Sequence, residues 1–122
     1  LNWQRGHVIM LADVINSGTY RACVFSPGLI RIQSTVNGVT ETLEEIRDSR
    51  IAYGNNVRPG VRVHGAVIEC AWNFDSMVET YSRNFSGGIG IQTWDPEPGA
   101  ATVQISSVIV RPFSTSTSVS SL

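Results

Sequence analysis

The stretch LIRIQSTVNGVTETL, Leu29 to Leu43, limits the fold more than any other part of the chain. Ile30, Ile32, Ser34 and Val36 alternate with Arg31, Gln33 and Thr35, and a period of two marks a half-buried strand. Asn37-Gly38 follows at once. Both central residues of a type I′ turn need positive φ, which Asn-Gly tolerates well. The reading is a tight hairpin in which Ile30–Val36 pairs with Val39–Leu43.

The rest of the chain repeats this grammar. Turn signals recur about every ten residues, at NSGT (16–19), SPG (26–28), RPG (58–60) and NFSGG (84–88), with no convincing amphipathic helix between them. Strands are expected at His7–Ile15 and Tyr20–Phe25. The segment EEIRDSRIAYGNN reads as a polar strand continuation and then a loop. Val61–Phe74 reads as one long strand whose alternation changes phase near Gly65, as a β-bulge would make it do. SMVETYS is a weak strand, IGIQTW a further one, and ATVQISSVIVRPF the last, slipping phase at Ser106-Ser107 and stopped by Pro112. The expectation is an antiparallel β-sandwich over residues 1–113. Residues 114–122, STSTSVSSL, form a Ser/Thr-rich tail or linker.

Composition narrows the partners. A chain of 122 residues holds one domain with a modest core. Nine basic residues, all arginine, and ten acidic ones are scattered to a net charge of −1. That is no electrostatic footprint for nucleic acid. The longest apolar runs, such as Val8–Ala12, are too short to enter and cross a bilayer. No signal peptide is visible before Leu1, so the chain reads as mature, processed or a fragment. Cys23 and Cys70 fall on different expected strands and admit two readings, a disulfide or two free core thiols. With His7 and His64 they do not make a zinc-ligand spacing.

Taken in order, YRACVF, then SPGLIRIQSTVNGVTETL, then RPGVRVHGAVIECAWNFD, then GGIGIQTWDPEPGAATVQISSVIVRPF resemble the laminin-G-like, concanavalin A-like jelly-roll domains. The resemblance spans about Tyr20–Phe113. It implies a jelly-roll-like sandwich of the kind attached to phage tail proteins and to secreted multidomain proteins, hence an extracellular or virion-surface location. Family members carry several strands before the tyrosine-containing one. Here about 19 residues precede Tyr20, so the sandwich is expected to be shortened at its N-terminus. Calcium is common in such domains, but Asp13, Asp75 and Asp95 stand apart with no D-x-D cluster, and no cofactor is expected.

Four chemistries bear on this frame. Gly88 and Gly90 supply two glycines of a dinucleotide fingerprint, but the third position is Thr93, the segment continues as a strand, and the chain has no lysine for a P-loop. Glycan cleavage needs paired carboxylates; Glu44 and Asp48 have the spacing but sit in the least regular segment. No nucleophile with a nearby base stands out, so the chain is read as non-enzymatic. Glycan binding needs aromatic faces beside hydroxyl-bonding groups. The candidates are Trp94 with Asp95, Tyr81, and Asn73; Trp72 continues the Ile68–Cys70 face and is read as core. Trp94 admits a second reading, a packing cap over the sandwich edge. Asn84 opens an Asn-Phe-Ser glycosylation acceptor pattern in an expected turn. The resulting expectation is a module that binds glycans or mediates adhesion. Its alternative is a structural module that assembles with other protein subunits, as a homo-oligomer, into a fibre, sheath or capsid coat through its sheet edges.

Overall fold

The structure, a computed structural model, describes residues 1–81 and 87–94 and the backbone of 103–104. Among these residues every regular element is a strand, and no helix is present to cross a membrane. The strands are β1 (Asn2–Trp3), β2 (His7–Asn16), β3 (Thr19–Ser26), β4 (Leu29–Val36), β5 (Val39–Arg47), β6 (Pro59–His64), β7 (Val67–Trp72), β8 (Asp75–Tyr81), β9 (Gly88–Trp94) and β10 (Val103–Gln104). The expected tail, 114–122, and most of the expected last strand lie outside the described residues.

Two antiparallel sheets pack face to face as a β-sandwich. One has the order β5-β4-β3-β2-β9, a meander of four consecutive strands completed by β9 beside β2. The other is the meander β6-β7-β8, and β1 pairs with β10 in a short third sheet. The hairpin read from Asn37-Gly38 is present, with Val36 opposite Val39 and both turn residues at positive φ. The core follows from the alternation. Val8, Cys23, Phe25, Ile30 and Ile32 from the larger sheet meet Ile68, Cys70 and Trp72 from the smaller, all buried. Each such large apolar side chain contributes about 1.5–3 kcal/mol relative to exposure. Trp3 is the largest wholly buried side chain; its ring meets Tyr53 and Trp72 edge-on, with centroids 4.7 and 5.7 Å away.

A disulfide between Cys23 on β3 and Cys70 on β7 ties the two sheets together at the centre of this core. Of the two readings the sequence leaves open, the structure has the paired one. Trp72, two residues further along β7, lies tilted against Phe25 at 5.6 Å. The sheets are thus joined by a bond and by an aromatic contact beside it.

One expectation fails. Val61–Phe74 is not a single bulged strand but two strands, β6 and β7, joined by a two-residue turn at Gly65-Ala66 with His64 opposite Val67. Gly65 has φ +58, and glycine is the residue that takes positive φ at the first centre of such a turn without steric cost. The phase change came from a chain reversal. A true bulge lies elsewhere, in β2. There the register against β9 shifts between Leu11 and Val14, and Asp13 has φ +52. The Asp13 side chain is buried, and its Oδ1 accepts the Gly87 N–H at 2.8 Å. Gly87 lies so close that an added Cβ would stand 2.6 Å from the Asp13 carbonyl carbon. Gly87, the residue ahead of β9, therefore serves close backbone packing.

Candidate functional site

The chain turns from β7 into β8 through Asn73-Phe74, both at positive φ, with Trp72 opposite Asp75. Asn73 suits that conformation; an aromatic residue at φ +75 is a rare outlier of the kind that clusters at functional sites. Asn73 is tied into the frame. Its N–H donates to the Arg58 carbonyl at 2.8 Å, and its Oδ1 accepts the Arg58 N–H at 2.9 Å. Phe74 is 70% exposed, with the Arg58 guanidinium 5.0 Å from its ring centroid.

From this tip the register carries a row of polar groups along the outward face of the small sheet. Arg62, Glu69 and Glu79 stand opposite one another across β6, β7 and β8, and Ala71 opposite Ser76 is the next rung. The Arg62 guanidinium meets Glu69 Oε1 at 3.3 Å and donates from its other nitrogen to the Phe74 carbonyl at 3.2 Å. The Ser76 hydroxyl donates to Glu69 Oε2 at 2.8 Å. Both carboxylate oxygens of Glu69 are therefore held, and the face is ordered before anything binds it. At the far end His64, Val67 and Tyr81 form a rung, and Tyr81 is 77% exposed. The seven residues of β8 set the two aromatics about 20 Å apart along the strand.

A second charged group borders the hairpin. Arg50 bonds Asp48 at 2.9 Å, approaches Asp75 at 3.7 Å and reaches the Met77 sulfur at 3.4 Å. The hydrogen bonds from Arg50 hold the Asp48 carboxyl below its ordinary value, and the same bonds raise Arg50 above its own.

The structure separates the residues singled out in the sequence. Asn73 and Tyr81 share the β7–β8 hairpin but stand at opposite ends of it. Trp94 is on the other sheet, at the end of β9, half-exposed and opposite His7. The two rings lie 4.9 Å apart. Burial, and after it the charge of Arg31, lower the His7 pKa. Asp95 and Asn84 lie outside the described residues. Glu44, in β5, pairs with Ile32 of β4 while Asp48 lies in the loop beyond β5, so the two carboxylates do not share a strand. Among the described residues no three His, Cys, Asp or Glu side chains converge as metal ligands.

Phe74 and the Arg62–Glu69–Ser76 network were missed in the sequence because both depend on the hairpins at Gly65 and Asn73. A glycine between two alternating runs, with Trp72 and Asp75 flanking a two-residue step, was the available signal. No protein-family model matches the chain, and neither a curated protein nor a solved structure matches it.

Proposed function

We propose that this chain is a non-catalytic glycan-binding or adhesion module of the laminin-G-like, concanavalin A-like jelly-roll kind, acting outside the cell or on a virion surface. The observation that carries the reading is the outward face of the β6-β7-β8 sheet. There the hydrogen-bonded Arg62–Glu69–Ser76 row lies between exposed Phe74 and exposed Tyr81. Sugar rings stack their C–H faces on aromatic side chains, and fixed charged and hydroxyl groups bond their hydroxyls. A pre-ordered face about 20 Å long suits an extended oligosaccharide more than a small buried ligand. The buried disulfide supports an oxidising compartment.

A glycan array read with the whole chain and with Tyr81→Ala and Glu69→Gln tests this. Binding to at least one glycan class, weakened by either change while the melting temperature holds, is the expected result. No binding, or binding indifferent to both changes, removes this face as the site. The second reading, assembly through sheet edges, is supported by a different observation, the uncharged strand β9, which is an edge strand among the described residues.

A further inference from the structure

Sheet edges attract other strands, and proteins usually defend them with charge, proline or bulges. The two larger sheets have four edge strands among the described residues, β5, β9, β6 and β8. Three are defended. β5 carries Glu41, Glu44, Glu45 and Arg47, β6 carries Arg62 and begins with Pro59, and β8 carries Asp75 and Glu79. β9, GIGIQTW, has no charge and no proline over its seven residues. Ile89 and Trp94 on it are each 51% exposed.

We infer that two copies of this chain associate through β9, antiparallel and about a twofold axis at Ile91, joining their five-stranded sheets edge to edge. The inference deepens the assembly reading and is independent of glycan binding. It commits to this register because the strand is complementary to itself there. With Ile91 opposite its own copy, Trp94 stands opposite Gly88 of the second copy, Gln92 opposite Gly90, and Thr93 opposite Ile89. Residues directly opposite in an antiparallel pair share a face. Each indole then lies over a glycine, which leaves the space that a bulky ring needs, and each half-exposed isoleucine gains a cover. No charge meets a like charge anywhere along the seam, whereas β5 paired with itself would bring glutamates together.

The same geometry sets the size of the assembly. A twofold contact uses the same patch on both copies and closes on itself. With β9 consumed and the other described edges of the two larger sheets charged, association through these edges stops at the dimer. A seven-residue edge contact is at the small end of specific interfaces, so the dimer dissociates on dilution.

Sedimentation velocity on the whole chain over a wide concentration series is the first test, with a reversible monomer–dimer transition expected. Thr93→Glu, an exposed position, puts a carboxylate against Ile89 of the second copy. It is expected to weaken the dimer at least tenfold while the circular dichroism and melting of the monomer hold. Register is tested by cysteine placement, since Cys23 and Cys70 are already paired. Opposed Cα atoms lie about 4.5–5.5 Å apart, within disulfide reach. Ile91→Cys should therefore cross-link to itself on mild oxidation and Gln92→Cys should not. A monomer at every concentration overturns the inference and the assembly reading together. Open-ended polymers, a dimer indifferent to Thr93→Glu, or equal cross-linking from positions 91 and 92 overturn the inference alone.

Discussion

Replacing Phe74 by alanine and by glycine isolates the backbone at the β7–β8 turn. Both variants remove the ring and its contact with Arg58, 5.0 Å away, so that loss cancels in the comparison. What remains is the conformation, φ +75 at the second centre of a two-residue turn. An L-residue in the left-handed region costs about 1–2 kcal/mol, and alanine bears this cost while glycine does not. Glycine in turn is disfavoured by about 0.4–1 kcal/mol, because its unfolded chain has more freedom to lose. The difference leaves Phe74→Gly more stable than Phe74→Ala by about 0.8 kcal/mol, or about 3 °C in melting temperature for a domain of this size. At an ordinary position the order is the opposite, with alanine ahead by about 0.5–1 kcal/mol. The sign alone therefore decides. Urea denaturation of the two variants, compared at equal m-value, measures it. If Phe74→Ala proves equal to or more stable than Phe74→Gly, residue 74 is not held in the left-handed region and the description of the tip is wrong.

Removing the disulfide with Cys23→Ala and Cys70→Ala releases a loop spanning a sequence separation of 47 and should cost about 4 kcal/mol in the chain-entropy account. A loss below about 1 kcal/mol in urea titration would contradict that account of the cross-link. Gly87→Ala places a methyl group 2.6 Å from rigid backbone at Asp13–Val14 and should cost about 1–3 kcal/mol by overpacking; an unchanged melting temperature would show that β9 can step away from the bulge. His7 has a lowered pKa when folded, so the unfolded chain binds more protons once pH falls below about 6.5, and stability declines there. His7→Gln should flatten the stability profile in that window and leave the acid limb below about pH 4, where carboxylates such as Asp48 titrate, unchanged. Identical profiles for the two proteins would exclude His7 as the source.

What could be read from the sequence is what local chemistry decides. Asn37-Gly38 specifies its turn within two residues, and the alternation of Leu29–Val36 then fixes which side chains face inward. The phase change at Gly65 is different in kind. An inserted residue and a chain reversal both flip the facing of later side chains, and only the pairing partner, seen in the His64–Val67 rung, tells them apart. The Arg62–Glu69–Ser76 network depends on that partner, so it was hidden with it. Phe74 was hidden for the opposite reason: an aromatic residue is a poor signal for the left-handed region it occupies. Asp13 gave no signal at all, because its role as a buried acceptor at a bulge requires Gly87, far along the chain.

The Cys23–Cys70 bond also sets how this module would respond to tension. A pull on the two ends of the chain reaches Cys23 and passes through the sulfurs to Cys70, bypassing everything between them. β4, β5 and β6, with the loop holding Ile51 and Tyr53, lie within that bypass and cannot be drawn out while the bond stands. At about 3.5 Å per extended residue the shielded length is about 160 Å. Only the flanking strands could lengthen, among them β9. Under such a load the chain would yield first at its outer strands, while the shielded strands stay tethered to β7.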